Sequence, residues 1–190
     1  MDYKDILDLI LDPDDVTVGG GCSSALAGAM AAGLMGMVAK LSLKKDFGLS
    51  SEQLDEYIEE LENLRLALLN GTIADREGYL KIVNAYKLPK STDEEKNQRK
   101  IAIEDAGVAA ARAPMDASFN CNRVLEIGKI LEGNTNPACN TDLQMGLMLA
   151  EIGLKGAIMN VEVNLPMIKS EKKLKEFEIF KEKFKKYLNN

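Results

Sequence analysis

The sequence predicts an all-α protein, an antiparallel bundle of about five to seven helices, some of them long. Three observations carry this. Apolar residues recur in steps of three and four along most of the chain, and no segment sustains the alternation of a strand. Hydrophobic residues make up 46% but aromatics only 5%, with no tryptophan, so Ala, Leu and Met carry the core, and these favour helices. Two capping-box signals, Ser50 with Gln53 and Thr92 with Glu95, open long periodic runs. The 190 residues contain no low-complexity linker and are read as one domain, 1–190.

A short helix is expected over residues 2–11, ended by Asp12-Pro13-Asp14-Asp15. Gly19-Gly20-Gly21-Cys22-Ser23-Ser24 then opens a helix reaching about residue 45, with Ala25, Gly28, Ala29, Ala32, Gly33 and Gly36 at helical spacing. Each interior glycine costs roughly 1 kcal/mol against alanine, so close packing or a ligand on that face must offset it. The third helix spans about residues 51–87. Its stripe of Leu54, Ile58, Leu61, Leu64 and Leu68 continues through Thr72, Asp75, Tyr79, Ile82 and Tyr86, with Gly71 a tolerated weak point. The fourth runs to about Leu131 and is kinked or interrupted at Pro114. After the loop 133–137, Thr141 caps a fifth helix whose Gly146, Ala150, Gly153 and Ala157 form a second small-residue stripe. Ser170 begins a basic amphipathic last helix with Leu174, Phe177, Phe184 and Leu188. The two small-residue faces suit homodimer packing.

Composition excludes several chemistries. The net charge of −6 argues against general nucleic-acid binding, which needs clustered Lys and Arg. The basic stretch 169–190 reads as a solvated helix face or as an anion-attracting rim. Histidine is absent, which rules out histidine triads and most zinc or non-haem iron sites. Cys22, Cys121 and Cys139 have no metal-ligand spacing, so no metal is expected. Met1-Asp2-Tyr3-Lys4-Asp5 lacks the pattern of a secretion signal, and the least polar run is broken by Lys40. The expected location is the cytoplasm, with no membrane partner.

Acid–base chemistry must then fall to carboxylates, lysines or tyrosines. Asp75 stands out because it occupies a core-phase position, where lost hydration raises a carboxylate pKa toward the range a general acid or base needs. The alternatives are a structural pair, for example with Arg112, or a helix that ends at Gly71. The triglycine can present N–H groups to an anion or simply form a turn. Asn160 and Asn164 share a helix face and can bind a heterocycle or cap the helix end. Asp142 sits where the helix dipole alone would favour a carboxylate. Arg99 and Lys100 read as a surface network, and Met145, Met148 and Met159 as core packing.

Several segments together resemble one family. They are Gly19-Gly20-Gly21-Cys22-Ser23-Ser24-Ala25-Leu26-Ala27-Gly28-Ala29, Met37-Val38-Ala39 with Lys44-Lys45, and Asp75. They continue with Leu88-Pro89-Lys90-Ser91-Thr92-Asp93-Glu94-Glu95-Lys96 and Arg99, Pro114 with Ala117, Thr141-Asp142-Leu143-Gln144, Gly156-Ala157 and Asn160-Val161-Glu162-Val163-Asn164-Leu165. Their order resembles the cyclodeaminase domain of formiminotransferase-cyclodeaminase and the related stand-alone methenyltetrahydrofolate cyclohydrolases.

The resemblance implies a helical bundle that assembles as a homodimer and acts on a tetrahydrofolate derivative without a further cofactor. It implies Asp75 as the catalytic residue, with Gly20, Gly21, Ser23, Lys44 or Lys45, Asp142 and Asn160 near the ligand. Cys22 stands where the family usually has serine, and a thiol is a poorer hydrogen-bond donor. The implied reaction is hydrolysis of 5,10-methenyltetrahydrofolate to 10-formyltetrahydrofolate. The alternatives are cyclodeamination of formiminotetrahydrofolate with release of ammonia, and a helical dimer that binds folate without turnover.

Overall fold

The computed structural model describes residues 3–12 and 14–188, with side chains from residue 7 onward. The helices are α1 (Tyr3–Leu11), α2 (Gly20–Ser42), α3 (Ser51–Lys87), α4 (Asp93–Leu131), α5 (Asn140–Asn164), α6 (Glu171–Leu174) and α7 (Glu178–Phe184), and no strand occurs among the described residues. Helices α2 to α5 form an antiparallel four-helix bundle. α2 packs on α3 and α5, and α4 packs on the same two from the other side.

Both capping boxes form. Gln53 N donates to Ser50 Oγ at 3.2 Å, and Ser50 N donates back to Gln53 Oε1 at 3.0 Å. Glu95 N donates to Thr92 Oγ1 at 3.1 Å, and Thr92 N donates to Glu95 Oε2 at 2.9 Å. α3 runs unbroken through Gly71, so Asp75 lies in its interior. Leu54, Leu61 and Leu68 are buried. Burying each contributes about 1.5–3 kcal/mol and fixes which side of α3 faces the core.

The small-residue stripes face each other inside one chain. A Cβ on Gly153 would come 2.8 Å from Ser24 O and 3.0 Å from Gly28 N, so the α2 and α5 backbones nearly touch. These stripes therefore close the bundle and are not left over for a second subunit. α2 has the length and apolarity of a membrane span, but its inward residues from Gly21 to Ser42 are packed in this core.

α4 continues through Pro114 without interruption. Proline has no N–H to offer the carbonyl four residues earlier, Ala110 O. Asn164 of α5 fills the gap, donating from Nδ2 to Ala110 O at 3.1 Å.

Four expectations need correction. α5 begins at Asn140, after a 3-10 turn over Pro137–Cys139 that Asn136 caps, so Thr141 lies inside the helix and does not cap it. α2 ends at Ser42, short of Lys45. The basic last helix is broken into α6 and α7, separated by a 3-10 turn. Met145, Met148 and Met159 are exposed, not core. The C-terminal segment inserts Phe177, Phe180 and Phe184 into the core, with Phe184 edge-on to Phe119 at 5.3 Å between centroids. Its polar side is tied to α4 through Lys173 with Glu104 and Asp105, and through Arg112 with Glu176 at 2.6 Å.

Candidate active site

α2 starts without a cap of its own: Gly19 has no side chain, and the helix would leave N–H groups unpaired. Asp75 supplies the missing acceptor from α3. Its carboxylate lies against Gly21 so closely that a Cβ there would overlap it. The Cys22 main-chain N–H and thiol both hydrogen-bond to it, with Sγ 3.4 Å from Oδ2. An anion at a helix N-terminus is favoured by the aligned peptide dipoles.

Asp75 makes no ion pair among the described residues. Arg112, the candidate structural partner, is committed to Glu176. Arg76, next in sequence, is turned the other way: Nε donates to Thr17 Oγ1 at 2.9 Å and Nη2 to Asp15 Oδ2 at 3.3 Å. These bonds pin the loop before α2 against α3. Burial pushes the Asp75 carboxyl above the usual carboxylate range, and the two Cys22 hydrogen bonds pull partly against it. Burial, with Asp75 beside it, pushes the Cys22 thiol up to about 11.

The carboxylate opens into a cleft of about 360 Å³ lined by Gly20, Gly21, Asp75, Tyr79, Asn160 and Asn164, with Val16, Ile82 and Met167 as apolar walls. Asn160 Nδ2 donates to Gly156 O at 2.8 Å and keeps one N–H. Asn164 Nδ2 donates to Asn160 O and Ala110 O, so Asn164 offers a ligand only its carbonyl oxygen. The cleft thus combines one unneutralised carboxylate with amides and apolar walls. That suits a planar, partly polar molecule and acid–base chemistry.

A family model described as formiminotransferase-cyclodeaminase matches residues 5–182. The chain belongs to this family. It is 34% identical over 167 residues to methenyltetrahydrofolate cyclohydrolase of Methylorubrum extorquens, covering 85% of this chain and 80% of that protein. It is 34% identical over 159 residues to formimidoyltransferase-cyclodeaminase of Gallus gallus, covering 81% of this chain but 29% of that one. The crystal structure of formiminotetrahydrofolate cyclodeaminase from Thermotoga maritima superposes with a TM-score of 0.83 at 25% identity, over 98% of this chain and 89% of that one.

Within this family member, the residues singled out from sequence fall into two groups. Gly20, Gly21, Asp75 and Asn160 meet in the cleft. Ser23 lies one step round α2, donates to Gly19 O at 2.9 Å, and faces a neighbouring groove with Leu26, Leu69 and Ile73. Lys44 and Lys45 follow the other end of α2, more than about 30 Å away at the rise of an α-helix, in a separate polar cleft with Asp46, Ser50 and Gln53. Asp142 is also at that end, because α5 runs antiparallel to α2 and Asn136 N is bonded to Ser42 Oγ at 2.9 Å.

Two features of the site were missed in the sequence. One is the Asp15–Thr17–Arg76 clamp, which joins segments 59 and 61 residues apart and has no local signal. The other is the Cys22–Asp75 contact. Thr72 and Asp75, three apart on one face of α3, are both partners of the thiol, and that spacing was legible.

Proposed function

We propose that this chain hydrolyses 5,10-methenyltetrahydrofolate to 10-formyltetrahydrofolate, with Asp75 as the acid–base residue. The observation that carries this is the half-buried, unpaired Asp75 carboxylate at the mouth of a cleft suited to a planar ligand. The substrate would be a cation with its charge spread over N5, the bridging carbon and N10. A carboxylate held beside that carbon stabilises it and takes a proton from the attacking water. The new C–O bond gives a tetrahedral intermediate, and Asp75 returns the proton to N5 as the C–N5 bond breaks. The hydroxyl proton leaves as the formyl C=O forms, so one proton is released overall. Water exclusion around the carboxylate strengthens each of these interactions. No metal or nucleotide enters the scheme.

The second reading is cyclodeamination, in which N10 attacks the formimino carbon and Asp75 delivers a proton to the departing ammonia. The likeness to the Thermotoga maritima cyclodeaminase favours it. Hydrolysis is preferred because the cyclohydrolase relative matches over most of its own length, whereas the transferase-cyclodeaminases carry much more chain. The two are separated by an anaerobic assay of both substrates in parallel. Loss of methenyl absorbance supports hydrolysis, and its appearance with ammonia supports deamination. Folate binding without either reaction would leave a binding protein.

The functional unit in this reading is a homodimer. Met30, Met37 and Leu41 of α2 and Met145, Met148, Ile152 and Met159 of α5 are exposed, with Met148 at 55% and Met159 at 67%. The two helices are neighbours, and exposed apolar side chains gathered on neighbouring helices are the kind of surface that marks an interaction site. A two-fold axis across that face would set α2 antiparallel to its copy. Lys44, Lys45 and Asp142 of one subunit would then approach Asp75 of the other, which reunites the two groups of candidate residues.

A further inference from the structure

We propose that the Cys22 thiol is a positioning residue for the Asp75 carboxylate, switching its one proton between Asp75 Oδ2 and the Thr72 carbonyl as the carboxyl changes ionisation. The proposal rests on the reading of Asp75 as the acid–base group.

The geometry is specific. Cys22 Sγ lies 3.4 Å from Asp75 Oδ2 and 3.2 Å from Thr72 O, two acceptors on the same face of α3. A third carbonyl, Thr17 O, is farther at 3.9 Å. A thiol has one proton, so it serves only one acceptor at a time. When Asp75 is ionised its charge wins that proton, and Oδ2 is held at the α2 N-terminus. When Asp75 is protonated the Thr72 carbonyl is the better acceptor, and the carboxyl is freed to deliver its proton. Burial holds the thiol pKa at about 11, so Cys22 keeps its proton in neutral solution.

Among the described residues that line the cleft, no charged side chain other than Asp75 is left without a charged partner. On α3, Arg76 is bound to Asp15 and Thr17, and Tyr79 lines the cleft. The loop before α2 contributes Asp15, which is tied to Arg76. α4 contributes only Ala110, and α5 only Asn160, Val163 and Asn164, all uncharged. Cys22 is therefore the side chain that sets how firmly the carboxylate is held.

A hydrogen bond donated to a carboxylate favours its ionised form, and a hydroxyl donates more strongly than a thiol. Cys22→Ser should move the acid limb of the pH profile of kcat/KM for methenyltetrahydrofolate hydrolysis to lower pH, and Cys22→Ala should move it to higher pH. The rate on the acid limb, relative to the plateau, should change by about threefold or more in each direction. The full chain is assayed with the non-enzymatic rate subtracted and with Asp75→Asn alongside. Profiles that superimpose on wild type, or a uniform loss at every pH, while Asp75→Asn is inactive, overturn the positioning role alone. Turnover by Asp75→Asn overturns the assignment of Asp75 and this role with it. If Cys22→Ala does not fold, the near-isosteric Cys22→Ser decides by the same displacement.

Discussion

The Asp75 carboxylate occupies the space that a side chain on Gly21 would fill. The start of α2 and the middle of α3 are thereby fitted to each other through a missing Cβ. Gly21→Ala must push the carboxylate away from the Cys22 N–H, because the atoms its Cβ would meet are those of the Asp75 carboxyl itself. The expected result is a fall in turnover of about 100-fold, the scale of a misplaced reacting group, with the helical circular dichroism spectrum retained. Gly20→Ala should be milder: its Cβ meets the Asn160 amide at 3.3 Å, a contact that a small side-chain shift relieves, so it should lose less activity than Gly21→Ala.

Asn164 should be needed because of Pro114. Removing the amide leaves Ala110 O buried without a donor, which costs about 1–3 kcal/mol. Pro114→Ala restores an N–H that can reach Ala110 O. In a double-mutant cycle read by denaturant unfolding, Asn164→Ala should be less damaging in the Pro114→Ala background than in wild type. Additive losses would mean the two residues are not coupled in this way.

The raised carboxyl of Asp75 has a stability consequence. Its folded pKa lies above the unfolded value, so the folded state holds the proton more tightly. Stability contributed by this group is complete below the unfolded pKa and is lost as pH rises through the folded pKa. Asp75→Asn keeps an acceptor for Cys22 N–H but carries no charge to bury. At neutral pH it should melt higher than wild type by about 2–4 °C, the effect of ~1 kcal/mol in a domain of this size. The gain should vanish in acid. A variant that melts lower at neutral pH would mean the charge itself stabilises the α2 N-terminus.

The apolar face of α2 and α5 should disappear into a dimer. Ile152→Glu with Met148→Glu should sediment as a monomer and lose activity, whereas wild type should sediment as a dimer at micromolar concentration. Mixing inactive Asp75→Asn with an inactive Lys44→Ala, Lys45→Ala variant should restore about one quarter of wild-type activity, since half the dimers are mixed and each has one intact site. No recovery on mixing would place the two groups of residues in unrelated roles.

Much of this was legible in the sequence. Helical phase put Asp75 on the core side of α3 after Leu68, and Asp75 is partly buried there. Beyond it the phase slips by one residue: Gly78 and Ala85 are buried, Tyr79 and Ile82 are half-buried, and Tyr86, read as part of the stripe, is exposed. The capping boxes at Ser50 and Thr92 were readable because both partners lie within four residues of each other. The start of α5 was not, because Asn136 and Pro137 add a 3-10 turn before the helix that mimics none of the usual spacing. The methionines of α5 were misread as core because helical periodicity marks an apolar stripe without saying what covers it. The separation of Lys44, Lys45 and Asp142 from Asp75 depends on helix direction across the bundle, which no local pattern encodes.

The most direct test of the central claim is single-turnover hydrolysis of methenyltetrahydrofolate by wild type and Asp75→Asn, with folate affinity measured on the same preparations. The expected result is hydrolysis by wild type and a loss of about 1,000-fold or more in the variant, with binding within a few-fold of wild type. Hydrolysis by Asp75→Asn at the wild-type rate would contradict the claim, because the proton would then be moving through another group.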